Sequence, residues 1–127
     1  MAEAVDVRSM HIPPETRHVA SVRSFVGAIA RSAGCSQETI EDLRLAVTEA
    51  CGYALEHGAA PDGIDLQVWV EGGRLIVEVV PVGTFGRADG AEGVPRWALI
   101  EALFPDAEHQ VRDGTGVLRF TAASDHS

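Results

Sequence analysis

Leu43-Arg44-Leu45-Ala46-Val47-Thr48-Glu49-Ala50-Cys51-Gly52-Tyr53-Ala54-Leu55-Glu56-His57-Gly58 is the stretch on which the fold turns. Counting from Ile40, apolar residues return at Leu43, Val47, Ala50, Cys51 and Ala54, the three-and-four spacing of one buried helix face. Ser36 stands where an N-cap belongs, and Glu38, Glu41 and Asp42 suit the positive end of the helix dipole. Gly58 supplies a stop. At roughly 100° per residue, Glu49 falls roughly 140° from the centre of the apolar face, where solvation is the default for a carboxylate.

Upstream, Val5 to Ile12 reads as an edge strand halted by Pro13-Pro14. Glu15 to Ala33 reads as a first helix with Val19, Val22, Phe25, Val26 and Ile29 on one side, and Gly34 separates it from the second. Downstream of the loop from Gly58 to Gly63 the period changes to two. Ile64, Leu66, Val68 and Val70 alternate with Asp65, Gln67 and Trp69, and Gly72-Gly73 signals a tight hairpin into a strand from Arg74 to Val80. Val82 to Val94 is rich in Gly and small residues and reads as a loop. Pro95 opens a third helix running to about Phe104. Two strands follow, about Ala107 to Arg112 and Gly116 to Ala122, with Asp113-Gly114 between them. Helices and strands in this order call for an α+β two-layer sandwich, three helices on one face of a mostly antiparallel sheet, in a single domain over residues 1–127.

Ten arginines against nineteen acidic residues give a formal charge of −9. Such a surplus argues against nucleic acid and against an anionic membrane surface, and for a basic protein partner. No apolar run reaches the roughly 20 residues of a membrane span, and no basic segment followed by an apolar one marks a leader. Cys35 and Cys51 stand alone as reduced thiols, so a cytoplasmic protein is expected. The five histidines show no metal-ligand spacing.

The run Leu45-Ala46-Val47-Thr48-Glu49-Ala50, continued by Ala54 and His57-Gly58, resembles the N-box helix of the anti-sigma-factor serine kinases, the RsbW/SpoIIAB-like branch of the histidine-kinase-like (GHKL) ATPases. The resemblance implies the Bergerat-type fold over nearly the whole chain. It makes Glu49 the counterpart of the base that acts on water or a substrate hydroxyl. The Asn that holds Mg²⁺ one turn later is Tyr53 here, and a phenol on a rigid ring does not replace an amide oxygen. Aligning the strand Leu75-Ile76-Val77-Glu78-Val79 places Pro81 at the Asp that accepts from the adenine amino group. Gly83 and Phe85 then stand at the two glycines after it.

The Gly-rich turn that cradles phosphate falls on Val94 and Arg96, with Pro95 between them lacking an N–H. Gly93 leaves room for a shifted turn. Arg96 either contacts phosphate through its fork or is an ordinary surface residue. His57 matches a frequent family histidine, and equally a helix-terminal residue paired with the dipole.

With the metal ligand, the adenine acceptor and the phosphate turn all altered, weak ATP binding at most is expected, with no metal site and little or no phosphoryl transfer. The resemblance then implies an anti-sigma factor that sequesters an alternative sigma factor and is relieved by an antagonist protein, in a family whose members often form homodimers. Two rivals stand beside it. One is an active serine kinase acting on the antagonist with Glu49 as base. The other is an interaction domain unconnected with transcription. Trp69 and Trp97 are candidate anchors or core residues.

Overall fold

Alternating and helical periodicities settle into nine elements in a computed structural model, which describes residues 6–56, 60–83, 95–113 and 115–123. Strand β1 (Arg8–Ile12) leads through a 3-10 turn (Thr16–His18) into helix α1 (Val19–Ser32) and helix α2 (Gln37–Glu56). Strands β2 (Ile64–Glu71) and β3 (Arg74–Pro81) form a hairpin, followed by helix α3 (Pro95–Leu103), β4 (Glu108–Arg112) and β5 (Thr115–Ala123). The five strands lie in the order β1-β2-β3-β5-β4, and every neighbouring pair is antiparallel.

Local chemistry explains the turns. Helix α1 closes with Gly34 at φ +84°. The Gly34 N–H bonds the Arg31 carbonyl, and the Cys35 N–H reaches back to Ala30 at 3.0 Å. That pair of bonds is a Schellman motif, and it consumes carbonyls the helix would otherwise leave bare. Ser36 then caps α2 as expected: its Oγ accepts from the Thr39 N–H at 3.1 Å. Between β2 and β3, Gly72 and Gly73 both have positive φ, 61° and 76°, as a two-residue type I′ turn requires.

The core lies between the helices and the inner face of the sheet. Leu43, Val47, Ala50, Cys51 and Ala54 of α2 are fully buried, as are Leu66, Val68, Leu75, Val77 and Phe120 of the sheet. Phe104 stacks on Phe120 with ring centroids 5.5 Å apart. Trp97 is buried, which settles it as a core residue.

Several boundaries differ from the sequence reading by one residue or more. The edge strand starts at Arg8 rather than Val5, and regular helix starts only at Val19. Glu15, after the two prolines, is still extended (φ −135°, ψ 138°), so a 3-10 turn bridges the gap. Strand β3 runs one residue further, through Pro81, which pairs with Ile64. The β5 ladder has already ended at Val79 opposite Leu118, so no strand needs the N–H that proline lacks. His57, Gly58 and the span 84–94 lie outside the described residues. Among the described residues no helix is long and apolar enough to cross a membrane.

Candidate functional site

Glu49 projects from the outer side of α2, and Arg96 is the second residue of α3. The two meet. Arg96 Nη1 donates to Glu49 Oε1 at 2.7 Å, with 31% of the arginine side chain and 19% of the glutamate side chain exposed. The length is that of a charge-assisted bond, and partial burial shields it from the screening that weakens surface pairs.

Between them lies Gly52. A Cβ placed on it would fall 2.6 Å from Arg96 Nη1 and 2.7 Å from Cζ. The guanidinium therefore rests on bare helix backbone, and a glycine in mid-helix, otherwise a cost of about 1 kcal/mol against alanine, gains a reason. The sequence read Glu49 as a solvated carboxylate or, by resemblance, as the counterpart of the base, and Arg96 as a phosphate contact or a surface residue. The structure brings the two together across 47 residues of chain. A glycine three residues after Glu49, inside a long helical run, was the signal that something packs close there.

Tyr53 follows directly on Gly52, half-buried and packed against the core. Pro81 is buried at the end of β3. Gly83, two residues on, has φ +90° and lies under the carboxylate of Asp62, whose Oδ2 would be 2.5 Å from an added Cβ. The Asp62 N–H bonds the Val82 carbonyl at 3.0 Å, and the Val82 N–H bonds that of Gly63 at 2.9 Å. The carboxylate at this end of the sheet thus comes from the α2–β2 connection, a contact that strand alignment does not reveal. Gly93 lies outside the described residues.

The opposite face of the sheet holds a second charged cluster, around Glu78. Its side chain is only 4% exposed although no helix among the described residues covers that face. Arg112 grips it with both nitrogens, Nη1 to Oε1 at 3.0 Å and Nη2 to Oε2 at 2.7 Å. Arg119 brings Nε to 3.0 Å from Oε2 and lays its guanidinium over the Trp69 ring, 5.4 Å from the centroid. The hydrogen bond to Glu78 raises the Arg112 pKa further above its usual value. Two cations offset the cost of burying one carboxylate, so this network is part of the scaffold. Cys51 needs no partner, and burial pushes its thiol pKa up to about 12.

The sequence profile of the histidine kinase-like ATPase domain matches residues 12–125. The serine-protein kinase RsbW of Bacillus pumilus is 39% identical over 71 residues, covering 55% of this chain and 44% of that protein. The protein of the same name from Bacillus licheniformis is 36% identical over 87 residues, covering 65% of this chain and 54% of that one. The chain thus spans about half the length of these curated relatives. Among solved structures, the RsbU and RsbW domains of Rv1364c from Mycobacterium tuberculosis superpose with a TM-score of 0.72. Identity there is 22%, over 93% of this chain and 32% of that one, which establishes a shared fold.

Proposed function

This chain belongs to the histidine kinase-like ATPase domain family, and from that premise we propose that it is an anti-sigma factor with little or no kinase activity. It binds and sequesters an alternative sigma factor and is relieved by an antagonist protein.

The observation that carries this reading is the Glu49–Arg96 bond. By resemblance Glu49 takes the position of the family's base, and one of its two carboxylate oxygens is engaged by a guanidinium. Magnesium ATP does not fit the residues around it. Arg96 fills the space over Gly52, Tyr53 offers no amide oxygen to a hard cation, and Pro81 offers no acceptor to an adenine amino group. An unmet donor there would lower affinity and discrimination together. Phosphoryl transfer depends almost wholly on positioning and charge neutralisation, so losing metal and phosphate contacts removes most of what a kinase needs. Contact surface remains, and the net charge of −9 complements basic sigma-factor regions that otherwise meet DNA.

Affinity capture from the native host, with the bound proteins identified, tests the proposal. A sigma factor among them is the expected result, and its consistent absence overturns the reading. The retained Glu49 and the kinase name of the relatives favour one rival, a serine kinase acting on the antagonist. Transfer of labelled phosphate from ATP to a co-captured antagonist would establish that rival.

A further inference from the structure

Helices α2 and α3 lie side by side and run in opposite directions. Trp97, near the start of α3, meets His109, which pairs with Leu118, and Phe104, just past its end, stacks on Phe120. The helix thus follows β5 from Leu118 to Phe120, away from the end of the sheet where Pro81 pairs with Ile64. Helix α2 travels toward that end, because the chain passes from it to β2, whose first residue is Ile64. The Glu49–Arg96 bond shows which line of each helix faces the other. On α2 that line is Glu38, Asp42, Leu45 and Glu49, at i, i+4, i+7 and i+11, and on α3 it is Arg96, Leu99 and Leu103, at i, i+3 and i+7. Leu45 therefore lies about 6 Å from the ion pair along one helix and Leu99 about 4.5 Å along the other, on the same side of it.

Leu45 and Leu99 are 42% and 36% exposed, and among the described residues they are the large apolar side chains that any helix leaves in solvent. Beside Leu99 the outer side of α3 carries Ala98 and Ala102, both exposed. A single leucine on a surface needs no reason. Two of them on facing lines, next to an alanine face, make an apolar strip that the Glu49–Arg96 pair closes at one end. Carboxylates border the strip on both flanks: Glu38, Glu41 and Asp42 on α2, and Glu101 on the far side of α3. Glu41 accepts from the neutral Gln37 at 3.2 Å. The ion pairs among the described residues are made by other carboxylates.

We infer that the groove between α2 and α3 is a docking surface for a basic amphipathic helix of a protein partner. Its apolar side lies on Leu45, Ala98, Leu99 and Ala102, and its cations meet Glu38, Glu41, Asp42 and Glu101. A helix in a groove is read by apolar anchors at i, i+3 and i+7, which is the spacing that α3 itself presents. Charge chooses the occupant: unpaired carboxylates on both flanks favour lysines and arginines, and in a chain of net charge −9 they repel nucleic acid and anionic lipid. A second copy offering the same face would set like charges against each other. The inference goes beyond the anti-sigma reading and does not depend on it, since a basic helix of any protein satisfies it.

The test uses the full chain labelled with ¹⁵N. The probe is a blocked helical peptide of about 18 residues with leucines at i, i+3 and i+7 and lysines on either side of them. One control replaces the lysines by glutamates, and another replaces the leucines by alanines. Amide shifts with the probe are expected at Leu45, Ala98, Leu99 and Ala102, and with neither control. The double variant Leu45→Gln, Leu99→Gln should lose about tenfold in affinity as apolar contact disappears. The triple variant Glu38→Gln, Asp42→Asn, Glu101→Gln should lose about fivefold at low salt and less at high salt, as three exposed pairs do. Single Leu99→Gln, at an exposed position, should show part of the loss and guards against misfolding of the double variant. Equal affinity in folded variants, shifts centred elsewhere, equal binding of the glutamate control, or no binding at all would overturn the inference. So would shifts of these residues with protein concentration alone, which would give the strip to a second copy. Such a failure would leave the capture experiment on the sigma factor undecided by it, because that partner can be held on another face.

Discussion

Gly52→Ala sets two effects against each other at a single position. Alanine in mid-helix gains about 1 kcal/mol over glycine, while its Cβ would displace the Arg96 guanidinium, 2.6 Å away, from Glu49. A partly exposed pair contributes about 1 kcal/mol, and the colliding atoms are the free end of a flexible side chain. Urea unfolding should therefore place the variant within about 1 kcal/mol of the parent, and a loss of about 3 kcal/mol would mean that the guanidinium cannot move.

Cys51 carries a pH dependence of definite sign. Its thiol pKa rises from 9.0 to about 12 on folding, so below pH 9 both states keep the proton and stability is unaffected. Above it the unfolded chain ionises first, and stability falls by about 1.4 kcal/mol per pH unit until the folded thiol also titrates. Unfolding at about pH 8 and about pH 10 should show this extra fall in the parent and not in Cys51→Ala. Parallel behaviour of the two would refute the burial argument.

At the scale of elements, α2 is the strut between core and site. Its apolar line was legible because a helix that buries one side must repeat every three or four residues, and every residue read onto that line is buried. Val47→Asp places an unpaired charge at a position with no exposure, a burden of several kcal/mol against a total stability of the same order. Circular dichroism should find the variant unfolded at room temperature, and a folded, soluble protein would mean that the helix face is wrongly assigned. The hairpin was legible for a similar reason, since two adjacent glycines between alternating strands have few other uses. Glu78 was not. Alternation along β3 marks it only as outward-facing, and its burial is imposed by Arg112 on β4 and Arg119 on β5, which no local pattern connects to it.

For the whole molecule, the same division separates fold from function. Layers and strand directions follow from periodicity and connection length, which are local. The Glu49–Arg96 bond joins polar surfaces of two helices across 47 residues of chain. Family resemblance supplied an expected role for Glu49 but not its partner, because motif alignment compares positions one at a time and a bond is a pair. The function proposed above rests on a cation set against the family's acid, and it makes association rather than phosphoryl transfer the means of action. Titration calorimetry of the purified chain with magnesium ATP tests that claim most directly. No saturable heat is expected, even at nucleotide concentrations around 1 mM, where an affinity of about 4 kcal/mol would already register. Clear binding in the micromolar range would contradict it.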